Sequence, residues 1–111
     1  MQTTQDVDSV LAALADATRR DIVRRAVAGE EGVAELASHY PMSFAAVQKH
    51  VAVLERAGLV TKRRIGRRKV VHTNPAGFAT ARRLLDEYEA LWRGRIDRIT
   101  DLITDTKEHH A

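Results

Sequence analysis

A chain of 111 residues is one domain by length, with apolar content enough for a core of modest stability. It has no cysteine, which excludes disulfides, thiol redox chemistry and thiolate metal ligands, and its two Phe, two Tyr and one Trp are too few for a base-stacking platform for single strands. The net charge is only +3, but no Asp or Glu occurs between Arg56 and Leu85, where six cations crowd around Gly66.

The N-terminal MQTTQDVDSV is polar and carries no apolar run of signal-peptide length. No later stretch approaches the roughly 20 apolar residues that span a bilayer. A soluble, cytoplasmic protein with no membrane partner is expected. Val7, Val10, Leu11 and Leu14 recur at helical spacing and predict a first helix ending near Ala15. Asp16 reads as the N-cap of a second helix, with Ile22, Val23, Ala26 and Val27 as its apolar face and Gly29 as its stop. A third helix carries Val33, Leu36 and Ala37. It ends by His39, because Pro41 drives Tyr40 out of the helical region.

Ser43 is a good N-cap for a fourth helix, and Met42 can staple onto Val47. Val47, Val51 and Leu54 form its buried stripe. Gly58 supplies a left-handed residue at its end, and Leu59 closes back on Leu54. The third and fourth helices, joined by a turn of about four residues, have helix-turn-helix geometry.

Two β-prone runs follow, Leu59 to Ile65 and Lys69 to Thr73, around Gly66: a hairpin signal. Lys62, Arg63, Arg64, Arg67, Arg68 and Lys69 lie along it and at its tip. Such a block in an otherwise balanced chain reads as a surface for an anionic partner. Asn74 and Pro75 are an N-cap and a first helical residue. From there to about Thr104, Leu85, Tyr88, Trp92, Ile96, Ile99 and Ile103 recur every three or four residues, and Leu84, Leu91 and Leu102 widen the stripe. A helix of roughly 45 Å is too long to bury against so small a body, so part of its face needs a second chain.

The expected fold is therefore mainly α with a small β-hairpin: a winged helix-turn-helix over residues 1–111, with N- and C-terminal dimerisation helices. At this point the chain resembles the ArsR-type transcriptional repressors, in their cysteine-free, autoregulator-like branch. The blocks that carry the resemblance are LADATRRDIV (Leu14 to Val23), VAELA (Val33 to Ala37), MSFAAVQKHVAVLERAGLV (Met42 to Val60) and GRRKVVHTNP (Gly66 to Pro75). The family usually has proline where Ala17 stands and often serine where Gln48 stands. Its cysteine metal box, expected around Val33 to Ala37, is absent, and Asp86 to Thr104 contains no histidine to match its other sensor site. The resemblance implies repression by occupying promoter DNA.

Duplex DNA is the expected partner, on a pseudo-palindromic operator, with the protein as a homodimer. Because the stripe of the fourth helix faces inward, Ala45, Gln48, Lys49 and Ala52 face outward, with Ser43 and Ala46 beside them. Gln48 can pair bidentately with adenine, and Lys49 can reach guanine or phosphate. Arg67 and Arg68 are the candidates for a narrow minor groove, and Arg63, Arg64 and Lys69 for phosphates. Val7, Val10, Leu11 and Leu14 together with Leu85, Tyr88, Trp92, Ile96, Ile99 and Ile103 are the expected dimer interface.

No catalytic constellation emerges, so neither an enzyme nor a cofactor is expected. His39, His50 and His72 show no ligand spacing. Asp101, Asp105 and His109 could gather a metal if the last helix reached that far, which leaves a metal-responsive repressor as one alternative. A winged protein-docking module is the other.

Overall fold

The computed structural model describes residues 2–110 of the chain, and the side chains of residues 7–104. Its internal contacts divide it into two compact units, Met1–Ala81 and Arg82–Ala111.

The first unit contains α1 (Gln2–Leu14), α2 (Ala17–Ala28), α3 (Val33–Ala37), α4 (Phe44–Arg56), β1 (Val60–Ile65), β2 (Arg68–Thr73), a 3-10 turn (Pro75–Phe78) and the first residues of α5 (Ala79–His110). Its core is one cluster: Val10 and Ala13 from α1, Ile22 from α2, Leu36 from α3, Val47, Val51 and Leu54 from α4, Leu59, Val60 and Val71 from the hairpin, and Ala81. Val10 thus belongs to the chain's own core at 1% exposure, and no surface remains on it for a partner. Leu14 also packs against this cluster. The stripe of α1 is largely consumed by α2 and α4, and Leu11 stays exposed. Val27, expected on the apolar face of α2, points outward at 69% exposure. The core contacts of α2 are made by Ile22, Val23 and Ala26, and Val27 lies beyond that arc.

Local signals set most boundaries. Asp16 caps α2 by accepting the Arg19 N–H at 3.1 Å. Ser43 caps α4 through the Ala46 N–H at 3.1 Å. The end of α4 is a complete Schellman motif: Gly58, at φ +80°, donates to the Glu55 carbonyl and Leu59 to the Leu54 carbonyl, each at 3.0 Å. The link between α3 and α4 is longer than expected, running from residue 38 to 43. Ser38, His39 and Tyr40 continue from α3 with i to i−3 bonds, a tightened last turn before Pro41.

The strands pair antiparallel from Val60↔Thr73 to Ile65↔Arg68, leaving Gly66 and Arg67 as a two-residue loop. Gly66 has φ +63° and Arg67 does not have positive φ, the pattern of a type II′ turn. A short third element supports the ribbon: Gly32 bridges Val70, and the Val71 N–H donates to the Glu31 carbonyl at 3.0 Å. Asn74 does not cap a helix with its side chain. Its amide instead donates to the Gly58 carbonyl at 2.9 Å, and the next residues form the 3-10 turn before α5 begins at Ala79.

The second unit is the continuation of α5, whose 32 residues make a rod of about 48 Å. Leu85, Tyr88, Leu91, Trp92, Ile96, Ile99, Leu102 and Ile103 are all exposed, Trp92 at 60%. Among the described residues no helix is long and apolar enough to cross a membrane.

Candidate nucleic-acid interface

α4 is fixed from behind and leaves its other face bare. Arg19 holds the α1–α2 junction, donating to the Ala13 carbonyl at 2.7 Å and the Ala12 carbonyl at 3.1 Å, while another of its nitrogens lies 3.2 Å from Nδ1 of His50 on α4. The Tyr40 hydroxyl donates to Asp21 at 2.7 Å, tying the turn before α4 to α2. With Val47, Val51 and Leu54 buried, helical geometry turns Ala45, Gln48 and Lys49 to solvent, and all three are exposed; Ala46 and Ala52 are half-buried beside them. Ser43 is exposed at the start of the helix, its hydroxyl engaged in the cap. A groove-reading helix needs this outline, with small side chains that allow close approach and two polar chains that reach.

Beside that face lies a cleft of about 320 Å³. Its walls are Gly32 to Glu35 at the start of α3, Phe44, Gln48 and Val51 of α4, Lys62 of β1, and Arg67, Arg68 and Lys69 of the wing. Thus Gln48 and the wing cations, separate in sequence, share one concavity. The sequence pattern did not mark Phe44 or Glu35 for this site, and it placed Lys62 in the basic block without giving it a contact of its own. Phe44 is 47% exposed at the first turn of α4, and a large apolar residue immediately after an N-cap is a local signal that could have marked it. No signal at short range links Glu35 to the wing.

The wing's charge is mostly uncompensated. Arg64 stands directly opposite Lys69 across the ribbon, and like charges in that position destabilise a sheet. Among the described residues only two of the six cations have a carboxylate partner: Lys62, 3.5 Å from Glu55, and Arg68, paired with Glu35. Arg68 therefore differs from its neighbour. It opens β2, and its guanidinium folds back to the Glu35 carboxylate and to the Glu30 carbonyl at 3.2 Å, so it does not extend from the tip as expected. Among the described residues Arg67, in the loop itself, has no such tether. The Gly32 N–H, 3.2 Å away, and then the Arg68 guanidinium hold the Glu35 carboxyl below the usual carboxylate range.

Among the described residues no group of three His, Asp or Glu side chains is placed to hold a metal. Asp105 and His109, named in the sequence as potential ligands with Asp101, lie outside the described side chains.

No protein-family model matches the chain. The HTH-type transcriptional regulator Rv2034 of Mycobacterium tuberculosis is 43% identical over 88 residues, covering 79% of this chain and 82% of that protein. The solved ArsR-like transcriptional regulator from Rhodococcus sp. RHA1 superimposes with a TM-score of 0.77 at 29% identity, over 92% of this chain and 96% of that one. The chain belongs to the ArsR family of winged helix-turn-helix transcriptional regulators. The same fold recurs in the homodimeric winged helix-turn-helix DNA-binding domain Mb0332 of Mycobacterium bovis, at 23% identity and a TM-score of 0.61, over 86% of this chain and 85% of that one. As an ArsR-family member the chain is a transcriptional regulator, and the cleft between its α4 and wing lies on the helix-turn-helix side of the fold.

Proposed function

We propose that this ArsR-family protein is a homodimeric repressor that binds a pseudo-palindromic duplex operator, with α4 in the major groove and the wing on flanking DNA. One observation carries the reading: exposed Gln48 of α4, with exposed Lys49 beside it on the helix, borders the same concavity as the wing, four of whose cations lack a carboxylate partner among the described residues. A polyanion resolves the Arg64–Lys69 repulsion that the ribbon otherwise bears. Gln48 and Lys49 read base edges; Ser43, Ala45 and Ala46 bring the helix start against the backbone; Arg63, Arg64 and Lys69 contact phosphates; Arg67 is the remaining candidate for the minor groove.

The second copy docks on the exposed stripe of α5, Leu85, Tyr88, Trp92, Ile96, Ile99 and Ile103, with Val7 and Leu11 of α1 as the residues of that helix left for it. The homodimeric state of the Mycobacterium bovis domain supports this assembly. The protein acts by binding and not by catalysis, in the cytoplasm, as its regulator relatives suggest.

The test is binding to labelled duplex from upstream of the protein's own gene, against random duplex, at several salt concentrations. Preference for the upstream duplex, a footprint with two-fold symmetry and a steep loss of affinity with salt are expected. Failure to bind any duplex at low salt would leave the wing as a protein-docking surface.

A further inference from the structure

Arg67 and Arg68 are identical side chains in consecutive positions at one tip, yet the fold treats them differently. Arg68 is pinned by two acceptors, the Glu35 carboxylate and the Glu30 carbonyl. Glu35 is itself fixed by the Gly32 N–H at 3.2 Å. Gly32 bridges Val70, and Glu31 accepts from the Val71 N–H at 3.0 Å. β2 is thus attached to the segment leading into α3 at residues 68, 70 and 71. Val70 and Val71 belong to one backbone bridge nearer the base of the ribbon, held by the Val71 N–H bond to Glu31, and Arg68 supplies the attachment nearest the tip. The two layers are in close contact there: a β-carbon on Gly32 would lie 3.3 Å from the Lys69 carbonyl oxygen.

A two-stranded ribbon has little stability of its own, so its direction depends on such attachments. A carboxylate beside a surface meant for phosphates also opposes binding by simple repulsion. Its presence needs a compensating benefit, which orientation supplies. We infer that Arg68 is a positioning residue that acts through Glu35 to set the angle at which the wing presents Arg67 and its neighbouring cations, and that it makes no phosphate contact of its own. The inference rests on the DNA-facing reading of the wing proposed above.

The decisive variant is Glu35→Gln, because the two readings give it opposite signs. If Arg68 were a phosphate contact masked by Glu35, removing the carboxylate would free it, strengthen binding and steepen the log affinity–log salt slope by about 0.9. A positioning pair predicts net weaker binding, by about threefold to fivefold, because the lost orientation outweighs the relief of the carboxylate's own repulsion, with the slope unchanged. Arg68→Gln should weaken binding to the same extent, also without a change of slope, and the double variant should be no weaker than either single one. Both side chains are about half exposed, at 53% and 52%, so the variants should keep the wild-type melting temperature. Fluorescence anisotropy on the upstream duplex at four or five salt concentrations reads all of this. Tighter or unchanged binding by Glu35→Gln, or a flattened slope in Arg68→Gln, would overturn the inference. Arg67→Gln serves as the separate control: it should flatten the slope by about 0.9, and if it does not, the DNA-facing reading of the wing fails first.

Discussion

Gly77 lies against Gly58: a β-carbon built on Gly77 would sit 1.9 Å from the Gly58 carbonyl oxygen and 2.6 Å from its carbon. The same oxygen accepts the Asn74 amide at 2.9 Å, so the end of α4 and the turn leading to α5 are locked together through one carbonyl. Both partners are backbone and neither can rotate away. Gly77→Ala should therefore destabilise the fold by about 3 kcal/mol. Gly58→Ala meets open space but must hold φ +80°, at a cost of about 1 kcal/mol. Urea midpoints for the two variants check the order, and an equal loss in both would show that the 3-10 turn shifts to accept the methyl group.

Tyr40 gives an alkaline signature. Burial first, and the hydrogen bond to Asp21 second, push its hydroxyl up to about 12. A folded value above the unfolded one means that this stabilisation is fully present below pH of about 10 and is lost as pH rises through about 12. Tyr40→Phe should cost about 1 kcal/mol at neutral pH and reduce the fall in stability across that alkaline window. Chemical denaturation at pH values on both sides of the window measures it.

Gln48→Ala addresses base reading. A loss of about 1–3 kcal/mol on the best operator is expected, with relaxed preference at one base pair in each half-site. A panel of operator variants reads the outcome; unchanged specificity would move the reading face elsewhere on α4.

Replacing Trp92 and Ile99 together by glutamate places charge in the middle of the exposed α5 stripe. Sedimentation should show monomers, and operator affinity should drop about a hundredfold or more as the second half-site is lost. A double variant that still sediments as a dimer would assign the interface to other residues.

What the sequence determined alone is what short-range physics encodes. The caps at Asp16 and Ser43, the Schellman close at Gly58 and Leu59, the glycine turn of the ribbon and the inward stripe of α4 each depend on residues within a few positions of one another. Exposure of Gln48 and Lys49 followed from the same periodicity. Tertiary structure alone decided where an apolar stripe is used up and which charges are neutralised. Val10 could serve a partner or the chain's own core, and only the packing of α1 assigned it to the core. Val27 continued a plausible stripe, yet the arc of α2 facing the core ends before it. Arg67 and Arg68 are indistinguishable in a linear pattern. The carboxylate that separates them lies 33 residues before Arg68, and a salt bridge of that span leaves no periodic trace, because it depends on where two elements meet rather than on how either one forms.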